Sequence, residues 1–131
     1  MAKFAYTILY VKDVTRAVAF YENAFDFKRK FISPDNDYAE LITGQTVLSF
    51  ASVELAKTNL PGGFIENNSE TKPFGIEIGF VVDDVENSLK VAMAAGALLV
   101  SEPKIKPWGQ TVAYVRDPEG FLIEICTSMG E

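Results

Sequence analysis

The sequence predicts an α+β fold built from two βαβββ modules, and three observations lead to this prediction. Residues 6–14 and 77–85 each show an apolar strand pattern that ends in an acidic turn. An amphipathic helical pattern follows each of these strands. Residues 46–52 and 121–127 are apolar strand patterns that close the two halves. The duplication implies two equivalent modules that share one sheet system, in which four strands bring matching positions together.

The first module contains one helix and four strands. Residues 4–11 alternate and are rich in aromatic and β-branched side chains, which predicts a strand. Asp13 is a good N-cap for the helix that follows. Apolar residues at steps of three and four mark the buried face of this helix: Val14, Ala17, Val18, Tyr21, Ala24 and Phe25. A second strand is predicted over residues 27–32, and a hairpin over residues 38–42 and 46–52.

The second module repeats this order. Residues 76–82 predict a strand, Asp84 caps the next helix, and Gly96 ends it. The buried face of this helix is expected to consist of Val85, Ser88, Leu89, Ala92 and Met93. Strands are predicted over residues 97–101, 109–116 and 121–127, with a loop over residues 102–107 and a turn over residues 117–120.

The numbering of matching residues supports the duplication. Tyr6 matches Glu77 at an offset of 71, and Ser49 matches Glu124 at an offset of 75. The second half therefore needs four more residues, which the predicted loop 102–107 can hold.

The length of 131 residues suits a single domain, residues 1–131, which contains both modules. We expect the modules to cover residues 1–52 and 75–131, with a linker over residues 53–74. A short helical stretch is predicted at residues 53–58, and an alternative role for the linker is a lid over a ligand.

The composition excludes several classes of function. The chain contains no histidine, so a Ser-His-Asp triad, a Cys-His dyad and a His-ligated metal are impossible. One cysteine, Cys126, excludes an internal disulfide and a cysteine-based zinc site. The formal net charge of −6 argues against a nucleic-acid partner.

The apolar runs are too short for a bilayer-spanning helix, so no membrane partner is expected. The first residues, Met-Ala-Lys-Phe, lack the apolar stretch of a secretion signal and lead straight into a strand. We therefore expect a cytoplasmic protein.

Several motifs together resemble the glyoxalase/bleomycin-resistance/extradiol-dioxygenase superfamily, also called the vicinal oxygen chelate fold. They are Leu9-Tyr-Val-Lys-Asp13 with Ala19-Phe-Tyr21, Val82-Asp-Asp84, Pro107-Trp-Gly109 and Asp117-Pro-Glu-Gly-Phe-Leu-Ile-Glu124. The resemblance implies a cup-shaped half-barrel, and homodimers are common in the family. Its members include isomerases, dioxygenases, transferases and non-catalytic drug-binding proteins, so fold alone does not decide the function.

The resemblance also implies where a ligand would bind. Metal enzymes of the family take ligands from the first and fourth strands of each module. The matching positions in this chain are Tyr6, Ser49, Glu77 and Glu124. The enzymes usually place His or Glu there, and Glu124 keeps the family residue. Trp108, Tyr38 and Tyr114 are further candidates for the wall of the site, whereas Phe50 has the opposite strand parity and is expected in the core.

Two facing carboxylates, Glu77 and Glu124, should repel each other and raise at least one pKa. A divalent cation such as Mn, Mg, Ni or Zn, a cationic ligand, or a retained proton would relieve this repulsion. The hydroxyls of Tyr6 and Ser49 are poor metal ligands, which favours a site without a cofactor. A structural alternative has both glutamates hydrogen-bonded to the backbone, Tyr6 or Arg116.

We therefore expect a dimeric small-molecule-binding protein of the bleomycin-resistance type, with a role in antibiotic resistance. It would sequester a small aromatic or cationic compound without a metal. The alternative is a glyoxalase-like lyase or isomerase, or a dioxygenase-related enzyme, in which Glu77 and Glu124 are catalytic or hold a divalent metal. In a third alternative the dimer surface is itself the function.

Overall fold

The computed structural model describes residues 1–129, which divide into two compact units. Unit 1 consists of residues 1–22 and 26–66, and unit 2 consists of residues 23–25 and the chain from residue 67 onward. Each unit contains one four-stranded sheet, which confirms the predicted α+β fold with two βαβββ modules. Within residues 1–129, no helix has the length and apolar character needed to cross a membrane.

The first module consists, in chain order, of β1 (Tyr6–Val11), α1 (Val14–Phe25), β2 (Lys28–Ile32), β3 (Tyr38–Ile42) and β4 (Val47–Ser52). One short additional helix, α2 (Val53–Asn59), follows it. Asp13 Oδ1 accepts a hydrogen bond from the backbone N–H of Arg16 at 3.0 Å, which confirms Asp13 as the N-cap of α1. The helix α2 confirms the short helical stretch predicted at the start of the linker.

The sheet of unit 1 has the strand order β1-β4-β3-β2, with β1 parallel to β4 and the other pairs antiparallel. One face of the sheet is buried and consists of Leu9, Val11, Ala39, Leu41, Leu48 and Phe50. The ring centroid of Tyr21 on α1 lies 5.3 Å from that of Phe50, so this face lies toward the helix. Tyr6 and Ile8 alternate with the buried residues of β1 and are exposed, as strand alternation predicts.

The elements of unit 2 follow the same order. They are β5 (Ile78–Val81), α3 (Val85–Ala94), β6 (Leu98–Ile105), β7 (Thr111–Arg116) and β8 (Leu122–Cys126). The strand order is β5-β8-β7-β6, and α3 packs against β6, β7 and β8. Asp84 Oδ1 accepts from the N–H of Asn87 at 3.0 Å, and Gly96 follows the helix with a φ of +118°. Both helix-boundary predictions are therefore confirmed.

One predicted member of the buried face of α3 is wrong. Val85, Leu89 and Ala92 are buried, but Met93 is 43% exposed. Met93 directly follows Ala92, so it points about 100° away around the helix axis. The buried stripe of this short helix is too narrow to include both residues.

The strand registers confirm the residue matching predicted from the duplication. Ile8 pairs with Ser49 in the parallel ladder of unit 1, and Gly79 pairs with Glu124 in that of unit 2. These pairs preserve the offsets of 71 on the first strand and 75 on the last.

The four extra residues of the second half lie between its second and third strands, as predicted, but part of this region is strand and not loop. Phe31 and Glu40 pair across unit 1 and are nine residues apart, whereas Ser101 and Tyr114 pair across unit 2 and are thirteen apart. The loop predicted at residues 102–107 is wrong for residues 102–105, because β6 continues to Ile105. Pro103 is tolerated because β6 is an edge strand whose register shifts between Ser101 and Lys104.

We expect Phe50→Ala to destabilise the fold by about 3–5 kcal/mol, because this ring is fully buried against Tyr21. Urea denaturation of the purified protein measures the change. Ile42→Ala is the control, since Ile42 is 57% exposed and should cost about 1 kcal/mol or less. Equal costs for the two variants would contradict the placement of Phe50 in the core.

Candidate functional site

Three polar side chains meet on the face of the unit 2 sheet that is opposite α3. Tyr114 on β7 pairs directly with Glu124 on β8, and its hydroxyl donates a hydrogen bond to Glu124 Oε1 at 3.0 Å. Glu77 immediately precedes β5, the strand that runs parallel to β8 on its other side. The site residues Glu77, Tyr114 and Glu124 therefore come together within one unit.

A groove with a volume of about 460 Å³ opens above this cluster. It is lined by Pro73, Gly75, Ile76, Glu77, Val100, Tyr114 and Leu122. Most of these side chains are apolar, whereas Glu77 and Tyr114 supply carboxyl and phenol groups. An apolar lining with few polar groups is typical of small-molecule sites, and the volume lies within their usual range.

Burial and a neighbouring acid shift the pKa of Glu77. Withdrawal from water raises the pKa of Glu77, and the neighbouring Glu124 carboxylate raises it further through repulsion and a shared hydrogen bond. Withdrawal from water and the same carboxylate raise the pKa of Tyr114 to about 12 and that of the Cys126 thiol to about 11. Tyr114 and Cys126 are therefore neutral at physiological pH, and the raised pKa predicted for facing carboxylates is found at Glu77.

A glycine leaves space beside this acid pair. Gly79 lies directly opposite Glu124 on the neighbouring strand, and a Cβ atom added there would meet no atom within 4 Å. Ile8 occupies the equivalent position of unit 1, opposite Ser49. The open space above the polar residue of the last strand is therefore a property of unit 2.

Unit 1 contains a related polar cluster on the equivalent face. The Tyr38 hydroxyl donates to Glu40 Oε2 at 2.8 Å and lies 3.2 Å from Ser49 Oγ. Lys30 Nζ lies 3.5 Å from Glu40 Oε1. Burial and the adjacent Glu40 raise the pKa of Tyr38. The carboxylate of this cluster already has a cationic partner, and Ser49 is fully buried beneath it.

Sequence reasoning missed Glu40 as a member of this cluster. Glu40 pairs with Ser49, as Tyr114 pairs with Glu124, so the acid lies on the third strand of unit 1 and on the fourth strand of unit 2. Strand alternation could have predicted this role, because it places Glu40, two residues after the predicted site residue Tyr38, on the same face of the strand.

The same bulge occurs in both outer strands and supplies one side chain to the polar cluster of unit 1 and one to the groove of unit 2. The register of β2 shifts between Arg29 and Phe31, and that of β6 shifts between Leu99 and Ser101. The residue inside the first bulge, Lys30, forms an ion pair with Glu40, and the residue inside the second, Val100, lines the groove. Bulges commonly redirect side chains in this way.

The other predicted site residues lie apart from the acid pair or form hydrogen bonds with other groups. Trp108 is 60% exposed in the loop before β7, and its Nε1 donates to Gln110 Oε1 at 2.8 Å. Tyr6 is 53% exposed on β1, near Tyr38, whose pKa it helps to raise. Arg116 donates to backbone carbonyls of Asn68, Ser69, Thr71 and Gly120. The alternative in which Arg116 holds the glutamates is therefore wrong.

Comparison with known proteins agrees with this architecture. The family model of the Glyoxalase/Bleomycin resistance protein/Dioxygenase superfamily matches residues 3–125. The chain belongs to this superfamily. No curated protein matches the chain.

Solved structures of the superfamily are similar over nearly the whole chain. A glyoxalase/bleomycin resistance protein/dioxygenase family enzyme from Burkholderia phytofirmans PsJN is 27% identical, with a TM-score of 0.83, over 96% of this chain and 98% of that chain. TioX from Micromonospora sp. ML1 is 26% identical, with a TM-score of 0.70, over 96% and 98%. Lactoylglutathione lyase from Agrobacterium tumefaciens is 20% identical, with a TM-score of 0.71, over 98% and 96%, and this likeness shows the fold alone.

The donor atoms of this superfamily member fit a transition-metal ion poorly. The raised pKa of Glu77 makes its proton harder to displace, and metal ligands must be deprotonated. Tyr114 and Cys126 are neutral, and neutral phenols and thiols are weak ligands. Across residues 1–129, no group of three or more Asp, Glu, Cys or His side chains is arranged to hold a metal ion.

We expect Glu77→Gln to stabilise the protein at neutral pH, and this gain to disappear in acid. A carboxyl whose pKa is higher in the folded chain binds more protons when folded, so stability falls as pH rises from the unfolded value of 4.5 through the folded value. Glutamine has no charge to gain in that window. Urea denaturation at about pH 4 and about pH 8 checks this. A stability difference that is the same at both pH values would contradict the raised pKa.

Proposed function

We propose that this superfamily member is a metal-independent small-molecule-binding protein of the bleomycin-resistance type. Its ligand would be a compact aromatic compound that carries one positive charge. Sequestration of such a compound is a means of antibiotic resistance. The proposal includes the cytoplasmic homodimer expected from the sequence.

The observation that carries the proposal is the acid pair beneath an apolar groove. Glu77 lines the groove beside Glu124, whose Oε1 accepts a hydrogen bond from the Tyr114 hydroxyl. A cation in the groove would relieve the repulsion between the two acidic groups and lower the raised pKa of Glu77. Ile76, Val100 and Leu122 supply apolar surface for the rest of the ligand.

The comparison of the two units supports a site in unit 2. The carboxylate of unit 1 already forms an ion pair with Lys30, and Ile8 stands where unit 2 has Gly79. In unit 2 the acid pair has open space beside it. A cation would therefore be attracted more strongly to Glu77 and Glu124 than to Glu40, which already pairs with Lys30.

A second candidate function is a metal-free lyase or isomerase, which the raised pKa of Glu77 favours. A carboxyl whose pKa lies closer to neutrality is a better general base for removing a proton next to a carbonyl. Turnover of 2-oxoaldehyde adducts by metal-stripped protein, lost in Glu77→Gln, would favour this candidate. Absence of turnover with retained binding of a cation would favour the first.

In metal-stripped protein we expect the planar cation 9-aminoacridine to bind about tenfold more tightly than acridine, its neutral analogue of the same shape. Glu77→Gln and Glu124→Gln should each reduce the affinity for the cation toward that for acridine, and leave acridine binding unchanged. Fluorescence titration measures both compounds.

Glu86→Gln is the matched control, because it removes the same charge from an exposed residue of α3 that does not line the groove. Equal affinities for the two compounds, or normal cation binding by both glutamate variants, would overturn the proposal. Micromolar binding of Mn, Mg, Ni or Zn that both variants lose would favour the metal alternative.

We expect Gly79→Ile to abolish binding of 9-aminoacridine without loss of stability. The new side chain would stand opposite Glu124, as Ile8 stands opposite Ser49, and would fill the open space. Glycine inside a strand costs about 0.5–1 kcal/mol, so the variant should be as stable as the natural chain or more so. Gly62→Ile is the control, since Gly62 also has open space around it and belongs to the turn after α2 in unit 1. Full affinity in Gly79→Ile would place the ligand elsewhere.

A further inference from the structure

The segment that precedes the groove is held against the sheet of unit 2. We call residues 67–71 the strap. Asn68 Oδ1 closes the strap on itself by accepting from the N–H groups of Glu70 and Thr71, at 2.9 and 3.1 Å. Pro73, Gly75 and Ile76 follow the strap directly and line the groove. The position of the strap therefore determines where the groove wall formed by Pro73, Gly75 and Ile76 begins.

Arg116 connects the strap to the sheet. Its Nη2 donates to the carbonyl of Asn68 at 2.6 Å, and its Nη1 donates to the carbonyl of Thr71 at 2.6 Å. The Nε donates to the carbonyl of Gly120 at 2.8 Å, so one buried guanidinium joins the strap to the turn between β7 and β8. Charged donors form the stronger class of hydrogen bond, and a guanidinium presents several in one plane.

Gly120 makes this close approach possible. It has a φ of +95°, and a Cβ atom there would overlap the backbone carbonyl of Asn68 and lie 2.9 Å from Arg116 Nη2. The turn itself is held by Asp117 Oδ1, which accepts from the N–H groups of Glu119 and Phe121. The Asp-Pro-Glu-Gly turn that carried the family resemblance is therefore also the surface on which the strap packs.

The strap also contains an unfavourable group. Within residues 1–129, the buried Oδ1 of Asn67 has no hydrogen-bond partner, which costs about 1–3 kcal/mol. The bonds from Arg116 offset this cost and keep the strap in place. These bonds favour a fixed position for the strap.

We propose that Arg116 and Gly120 are positioning residues for the ligand site, because they hold the strap and hence the groove wall at Pro73 and Ile76. This inference rests on the proposed function, in that it assigns these residues a role in affinity for the same ligand class. Neither residue contacts the ligand. Arg116 acts through the carbonyls of Asn68 and Thr71, and Gly120 acts by leaving room for them.

The test compares two glycine variants with matched backbone strain. Gly120→Ala adds a methyl group at a φ of +95° in contact with the strap, whereas Gly109→Ala adds one at +94° in open space. Arg116→Lys is a third variant that keeps the charge but loses the planar set of donors. Hydrogen–deuterium exchange of residues 68–77 reports on the strap, and titration with 9-aminoacridine well below the melting temperature reports on the groove.

We expect Gly120→Ala and Arg116→Lys to lose exchange protection over residues 68–77 and to bind 9-aminoacridine about tenfold more weakly. Gly109→Ala should change neither property. A purely structural role would lower the melting temperature without changing the affinity of the folded protein.

The outcomes separate this inference from the function on which it rests. Loss of strap protection with unchanged affinity overturns the inference and leaves the proposed function standing. Unchanged strap protection in Gly120→Ala overturns it as well. If the natural chain binds no 9-aminoacridine, the proposed function fails, and the positioning role fails with it.

Discussion

The parallel pairing of the first and last strands is the constraint on which each module depends. These two strands are far apart in the sequence, and their pairing places the helix between them on one face. In unit 2 the register pairs Gly79 with Glu124 and thereby brings Glu77 beside the same carboxylate. A shift of one residue would turn Glu124 to the helix face and separate the acid pair. The chemistry of the groove is therefore a direct result of strand register.

The backbones of the two halves resemble each other more closely than their polar side chains do. Each has a capping aspartate, a parallel ladder and a bulge in its outer strand. Their acids lie on different strands, at Glu40 in unit 1 and at Glu124 in unit 2, and each accepts from a tyrosine. The first acid also has Lys30 as a partner, whereas the second faces another acid. The two halves thus contain one acid that is paired with a lysine and one acid that lies beside a second acid.

Patterns in the sequence predicted the fold, because helix caps and strand alternation are short-range properties and the repeat is found by comparing two such segments. Asp13 and the two offsets between the halves were identified in this way. Glu40 was missed because its role depends on which residue lies across the sheet. The bonds from Arg116 to Asn68 and Thr71 could not be predicted, since they end on carbonyls more than forty residues away that carry no side-chain signature. The continuation of β6 through Pro103 likewise depends on a register shift, which is a property of strand pairs and not of a single segment.

The bulges in the outer strands also bear on how a site of this kind can evolve. Each bulge directs one side chain toward the polar cluster while the neighbouring residues keep their pairing. Val100 is 51% exposed, so its replacement disturbs little of the core. A single substitution at Val100 could therefore replace an apolar contact with a charged one. In the first half the bulge residue, Lys30, is already charged. The chemistry of the groove lining can thus change while folding stability is conserved.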